Sequence, residues 1–415
     1  QLGWNRSVRC RHCQAELTVT MIDLGVMPRA NSYLDPEALE EAERRCPLRV
    51  LVCGQCWLVQ TEDYLRPGEL FEGDYPYFSG YSMTWLEHCR VYSEEMTDRF
   101  SLGVTSSVVE VAANDGALLR FFHDAGMRCT GIEPTLATAE VARGLGLSVL
   151  PEFFSHDLAV TLRDGGLVAD LVVANNVLAH VPDINDFALG CATLLADDGV
   201  ATFEFPHIHE MLAFSQFDTV YHEHFSYLSL VAVESVFARS NLEVFDVKQL
   251  TTHGGSLRVF AQRSDTGKRE RDRRVADLRC LEVDAGLTTM EAYSQIQDEA
   301  DRIRDDLRRF LIEARSAGRS VAAYGAAAKG NTLLNYAGIQ ADMIDFVIDR
   351  NPAKQGRYLP GSRIPIVAED RLVLTRPDYV LVLPWNLLPE VSNQLSYVKE
   401  WSGALVTAVP ELHVR

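Results

Sequence analysis

The stretch Val108-Val-Glu-Val-Ala-Ala-Asn-Asp-Gly-Ala-Leu-Leu-Arg-Phe-Phe122, followed by Gly131-Ile-Glu-Pro134, decides the fold. Four of the five residues from Val108 to Ala112 are apolar, the chain turns at Asn114-Asp-Gly116, and apolar residues then return at helical spacing. That order predicts a buried strand, a turn and a helix. A second strand ends at Glu133, about 20 residues after the turn, where a doubly wound sheet hydrogen-bonds the hydroxyls of a ribose. A nucleoside cofactor is therefore expected, held by Glu110, Ala112, Asn114, Asp115, Glu133 and Pro134. Ala112 and Ala113 stand where a pyrophosphate would want glycine, so the pattern favours S-adenosylmethionine over a dinucleotide.

Working outward, 415 residues are enough for two or three cores. A net charge of −19 and a pI near 5.0 argue against nucleic acid or an anionic membrane as partner. No run of 18 apolar residues occurs, and a cytoplasmic monomer is expected. Nine cysteines fit that compartment as thiols or metal ligands. Cys10-Arg-His-Cys13 and Cys53-Gly-Gln-Cys56 form two close pairs, each able to present two thiolates on one turn. Together they predict a closed structural zinc site, with Cys46 or His12 as possible substitutes for one ligand.

Phe71-Glu-Gly-Asp-Tyr-Pro-Tyr-Phe-Ser-Gly-Tyr-Ser82 mixes aromatics with glycine and proline, which suits a loop lining a pocket or an aromatic linker. Ala169 to Asp183 reads as a strand ending in Asn175-Asn176, then a loop with His180. Phe217-Asp-Thr-Val-Tyr-His-Glu-His-Phe-Ser-Tyr-Leu-Ser229 is the densest group of ionisable and aromatic residues. His222 and His224 are too close in sequence for one helical face, so acid/base chemistry is favoured over a surface polar segment or a metal. Thr251-Thr-His-Gly-Gly-Ser-Leu-Arg258 reads as a glycine turn entering a strand, with Arg258 near an anionic ligand. Tyr293, Ile296, Ala300, Ile303, Leu307, Phe310 and Ala314 recur at three-and-four spacing, which predicts one long amphipathic helix bridging domains. Ser320 to Leu334 restarts an α/β pattern through Gly325-Ala-Ala-Ala-Lys-Gly-Asn331, a turn suited either to phosphate or to close packing.

Taken in order, the paired cysteines, Asp23-Leu-Gly…Pro28…Asn31, Asn114-Asp-Gly116, Glu133-Pro134, Asn175-Asn-Val-Leu-Ala-His180, Tyr221-His-Glu-His224 and Gly325 to Asn331 resemble the three-domain sugar C-methyltransferases of antibiotic deoxysugar biosynthesis. The resemblance implies an α/β protein with a zinc-binding domain over 1–75, a central Rossmann-like S-adenosylmethionine domain over 76–262, and a C-terminal Rossmann-like domain over 275–415 that binds the nucleotide sugar. It implies a dTDP-linked 4-keto sugar methylated at C-3. His224 matches the general base, with Tyr221, Glu223, His180 and Tyr75 around it. Tyr77, Ser79, His253, Gly254, Lys329 and Asn331 are assigned to the sugar nucleotide, and Asn175 and Asn176 to the methyl donor. Rival readings are a C-methyltransferase that also reduces the ketone with NADPH, methylation at C-5, and a non-catalytic nucleotide-sugar binding protein.

Overall fold

A computed structural model describes residues 8–65, 67–71 and 78–415. Tyr75 and Tyr77 lie outside the described residues. Three sheets organise the described residues. Strands β1 (Val19–Pro28), β2 (Arg45–Val52) and β3 (Val59–Thr61) form an antiparallel sheet whose fourth strand, β9 (Ser226–Tyr227), arrives from much later in the chain. Val59 pairs with Tyr227 and Gln60 with Ser226. The segment that carries Tyr221 and His224 is thereby tied to the sheet nearest the cysteines.

The central sheet is built from β4 (Ser107–Val111), β5 (Arg128–Ile132), β6 (Val149–Leu150), β7 (Ala169–Asn175), β8 (Leu195–Pro206), β10 (Leu242–Leu250) and β11 (Ser256–Arg263). Its order is β10-β11-β8-β7-β4-β5-β6. The pairs from β8 through β6 are parallel, while β11 runs antiparallel to both its neighbours. β4 is buried along its whole length, as a parallel strand covered on both faces must be. The order reverses at β4 and β7, so their carboxyl ends open the crevice in which doubly wound sheets bind ligands.

The last sheet comprises β12 (Val321–Tyr324), β13 (Val347–Ile348), β14 (Ile366–Val367), β15 (Tyr379–Val382), β16 (Ala404–Thr407) and β17 (His413–Val414), in the order β14-β13-β12-β15-β16-β17. Numbered along this segment, that is 3-2-1-4-5-6, the dinucleotide-fold order, with a final antiparallel strand.

The sheet β1-β2-β3-β9 is buried on both sides. Leu51 joins Cys10, Cys53 and Cys56 in the core that includes Val109, Ala174 and Phe203 of the central sheet. Its neighbours Val50 and Val52 point the other way, into a core shared with Leu307, Ala323 and Leu381. Strict alternation along β2 thus binds one strand to two cores. The amphipathic helix runs over Ile296–Ser316 and buries Ile296, Ala300, Ile303, Leu307, Leu311 and Ala314 in that second core. Tyr293 belongs to a preceding turn, Glu291–Tyr293, where its hydroxyl donates to Leu287 O at 2.8 Å.

Arg258 departs from expectation. It is 1% exposed, and its Nε and Nη2 donate to Glu204 Oε2 at 3.1 and 3.0 Å, while its guanidinium lies 4.5 Å from the centre of the Tyr92 ring. The anion expected beside it is the protein's own carboxylate. This pair, with Glu95 3.1 Å from Arg258 Nη1, fastens the helix Met83–Phe100 to β8 and β11. Removing either partner would strand a buried charge at a cost of about 3–5 kcal/mol.

Candidate active site

At the carboxyl end of β4 the chain enters a compressed turn. Ala112 has φ +59° and Asn114 φ +49°, left-handed conformations in which a non-glycine residue is strained by about 1 kcal/mol. Gly116 has φ +78°, and a Cβ there would come within 2.4 Å of Leu147 Cδ1, so only glycine fits. Glu133, at the end of β5, braces the turn: its Oε2 accepts from Asn114 N–H and its Oε1 from Thr135 N–H, both at 2.9 Å. Pro134 between them has no N–H to offer. Ser79, expected beside the sugar, sits with its backbone over this turn, where its N–H donates to Asn114 Oδ1 at 2.9 Å. Gly80 N–H likewise donates to Asp115 Oδ2 at 2.9 Å.

The crevice collects unsatisfied polar atoms, all but one of them acceptors. Glu110 Oε2, Asp115 Oδ1, Asn175 Oδ1 and both amide atoms of Asn176 are buried without a hydrogen-bond partner. Burial pushes the Glu110 carboxyl well above its usual range, helped by the charges of Asp115 and Glu133, and it also raises Asp115. Buried acids in this condition await donors and positive charge. A ligand bringing ribose hydroxyls, an ammonium and a sulfonium meets that requirement, so the residues present fit S-adenosylmethionine.

A second cluster lies on the segment between β8 and β9. His224 Nδ1 is 2.8 Å from Thr219 O, and its Nε2 is 2.7 Å from Tyr221 Oη. A carbonyl only accepts, so Nδ1 carries the proton and Nε2 presents its lone pair to the phenol. The Tyr221 and His224 rings lie 3.9 Å apart. Burial, reinforced by the neighbouring His180, holds His224 well below the ordinary imidazole range and leaves it uncharged at neutral pH. His180 stands T-shaped at 4.7 Å from His224, with Nδ1 2.8 Å from Glu223 O. The same reasoning protonates His180 at Nδ1, and burial lowers its pKa to about 4. The Glu223 carboxylate turns from the imidazoles toward Asn31, accepting from its side-chain Nδ2 at 3.1 Å, while Oε2 has no partner. His224 borders a small cavity with Ala179, Pro206, Met211, Gln216 and Tyr227. His222 turns to the Pro47 carbonyl at 3.2 Å.

From the last sheet, Lys329 reaches into the central unit. Its Nζ donates to His253 O at 3.0 Å and lies 4.8 Å from the centre of the Trp385 ring. Trp385 Nε1 donates to Asp218 Oδ2 at 2.7 Å. Burial raises Asp218 to about 6, partly offset by the Lys329 charge. His253 adopts φ +56° and meets the Trp85 ring edge-on at 5.5 Å, and its own pKa falls to about 4 through burial. Gly254 has φ +93°, and a Cβ would lie 2.6 Å from Trp385. Asn331 is tied to Ala30 O at 2.6 Å, leaving Oδ1 unpartnered. Asp218, Trp385, Trp85 and Gln216 were not singled out from sequence. Asp218 sits inside the dense 217–227 stretch, and Trp385 follows a parallel strand, where ligand-facing loops belong.

The metal site forms as expected. Cys10, Cys13, Cys53 and Cys56 place their sulfurs within 4.8 Å of one another, with Cys10 to Cys56 at 3.5 Å and Cys13 to Cys53 at 3.4 Å. A tetrahedron of thiolates about 2.3 Å from zinc has edges near these values. His12 is no substitute, because its ring nitrogens engage Asn185 at 2.6 Å and Ser235 at 3.0 Å. Cys46 packs instead with Leu65, Leu70 and Phe225. A closed four-thiolate site leaves zinc a structural part.

A doubly wound sheet with one reversed strand, an acceptor-lined crevice at its switch point and a thiolate zinc site define an S-adenosylmethionine-dependent methyltransferase with an added zinc-binding region. Comparison with known proteins agrees: residues 10–71 match a putative zinc binding domain, 85–247 a methyltransferase domain and 251–410 a C-methyltransferase C-terminal domain. The chain is 34% identical over 405 residues to C-methyltransferase NovU of Streptomyces niveus, covering 98% of this chain and 96% of that one. It belongs to this C-methyltransferase family and is an S-adenosylmethionine-dependent enzyme with structural zinc. Among solved structures it is similar to magnesium protoporphyrin IX methyltransferase from Synechocystis PCC 6803, with 14% identity, TM-score 0.34, and coverage of 43% of this chain and 79% of that one. It is also similar to a methyltransferase from Clostridium acetobutylicum, with 11% identity, TM-score 0.35, and coverage of 44% and 92%. Neither likeness extends beyond a part of the chain or carries argument here.

Proposed function

We propose that this enzyme transfers a methyl group from S-adenosylmethionine to C-3 of a dTDP-linked 4-keto deoxysugar, through an enolate, in deoxysugar biosynthesis. The observation that carries the reading is the His224 imidazole: uncharged, anchored through Nδ1 to Thr219 O, and offering Nε2 at the Tyr221 hydroxyl. A ketone acidifies the adjacent carbon because the carbanion spreads its charge onto the carbonyl oxygen. Nε2 takes that proton. The resulting imidazolium and the enolate stabilise each other in a site where opposite charges attract strongly.

The enolate oxygen needs a donor. His180 holds its one proton at Nδ1 against Glu223 O, so it cannot donate from the other nitrogen without first being charged. Tyr221, released as Nε2 becomes protonated, is the better donor, and one such preorganised bond is worth about 3 kcal/mol. Lys329 adds a cation facing the same cluster. Glu110, Asn114, Asp115, Glu133, Asn175 and Asn176 are assigned to the methyl donor. When bound, it supplies an electrophilic methyl and a neutral leaving group, so alignment is what remains for the protein. His253, Gly254, Lys329 and Asn331 are assigned to the sugar nucleotide.

The test is a panel of dTDP-4-keto sugars incubated with enzyme in deuterium oxide. Without methyl donor, deuterium is expected at C-3. With donor, NMR is expected to find the new methyl at the same carbon. Deuterium or methyl at C-5 alone would overturn the regiochemistry, and methylation without exchange would remove the free enolate.

A further inference from the structure

The turn that follows β8 carries a second group of metal-binding side chains, His207, His209 and Glu210, which shares no residue with the thiolate site. One ligand atom from each lies within 4.8 Å of the other two. His207 is 1% exposed. Its Nε2 is 2.7 Å from Glu282 Oε1 in a pair from which solvent is excluded. Glu282 is itself held in place, accepting the backbone N–H groups of Leu230 and Val231 at 2.6 and 2.9 Å. A carboxylate so committed accepts the Nε2 proton and fixes the imidazole tautomer. Nδ1 is left as a bare lone pair, and it is buried with no partner.

A carboxylate that orients a histidine whose other nitrogen is unused is the arrangement that supports metal-bound imidazoles. His209 and Glu210 already meet, with Nδ1 3.2 Å from Oε1, and their side chains are 23% and 25% exposed, which gives an ion a route in. The backbone behind them is pinned: His207 N–H donates to Gly255 O at 3.0 Å, and a Cβ at Gly255 would come within 2.5 Å of the Glu210 side chain.

We propose that His207 Nδ1, His209 and Glu210 bind a second divalent cation of the zinc class, with Glu282 as the positioning carboxylate. Two imidazoles and one carboxylate suit a first-row divalent ion, and three protein ligands leave a fourth position for water. The ion would hold together the residues that open the helix Ile208–Ala213, beside the Gly254-Gly255 turn. Neither residue 209 nor 210 belongs to the machinery assigned above, so the proposal stands apart from the sugar reading.

The test is metal stoichiometry. Full-length protein is saturated with Zn2+, freed of excess by gel filtration and analysed for metal. Two zinc ions per chain are expected in the wild type and one in both His209→Ala and Glu210→Gln, each folded by circular dichroism. Titrated with Co2+, the wild type is expected to show the charge-transfer and d–d bands of the thiolate site and, after these saturate, a second, weaker set of d–d bands that only the variants lack. One zinc in the wild type, or two in both variants, would overturn the site.

Discussion

The central and last sheets solve the same local problem and differ in the charged groups set around the solution. In each, an acid after the second strand braces the turn after the first. Glu133 accepts from Asn114 N–H and Thr135 N–H, and Asp349 accepts from Ala326 N–H and Asn351 N–H at 2.8 Å each. Around Glu133 stand two more buried acids, Glu110 and Asp115, and the Arg120 charge acts on Asp115. Around Asp349 stands Lys354, whose Nζ is 3.7 Å from Oδ2 and donates to Ala326 O at 2.7 Å. One topology therefore sets its bracing acid among further acids in one copy and beside a lysine in the other. The backbone frame is shared, and the few side chains facing it select the ligand.

The first and largest challenge to that comparison concerns the segment between the two sheets. His224→Gln is expected to lower turnover about a thousandfold, the range of a lost general base. Calorimetric affinities for S-adenosylmethionine and dTDP should change by less than about threefold. Near-normal turnover would show that chemistry resides elsewhere. A second challenge is the zinc-bearing sheet that both cores share. Cys13→Ala should lose the ion and about 5 kcal/mol or more of stability, since structural zinc contributes folding energy directly. Hydrogen exchange should rise first in β1 to β3. Unchanged protection there would mean the ion is dispensable.

The third challenge sharpens the contrast itself. Glu133→Gln should weaken S-adenosylmethionine about tenfold and leave dTDP alone, whereas Lys329→Met should do the reverse, as expected for charge-assisted contacts. Cross-effects of equal size would erase the distinction between the crevices. The smallest effect is a pH dependence. His180 stays neutral in the fold down to about 4, while the unfolded chain protonates it near 6.5. Below about 6.5 the unfolded state therefore binds more protons, and the stability that His180 contributes above that pH is lost on acidification. Relative to His180→Asn, the wild type should lose up to about 2 kcal/mol between pH 7 and 5. A gap that stays constant would mean that His180 is not buried neutral.

What was legible in the sequence was local. Val108 to Gly116 declared its strand and turn because apolar runs and glycine act over a few residues, and Glu133 followed at the spacing of one strand-turn-helix unit. The cysteine pairs declared the zinc site for the same reason. The helix read from 293 to 314 begins at Ile296, since periodicity continues through a tight turn that helical hydrogen bonds do not.

Pairing across distance was not legible. Arg258 looked like a ligand for an anion because nothing in its neighbourhood in sequence reveals that Glu204 lies opposite it on the adjacent strand. Asp218 with Trp385, Lys329 with His253, and His207 with Glu282 are contacts between elements far apart in the chain. Residue order alone thus determined the class of fold, the metal and the methyl donor, because short-range patterning encodes them. Only the tertiary structure decided which nitrogen of His224 holds its proton, which carboxylates stand unpartnered and which charged groups surround each bracing acid, because protonation and charge depend on burial and on neighbours that the chain brings together only by folding.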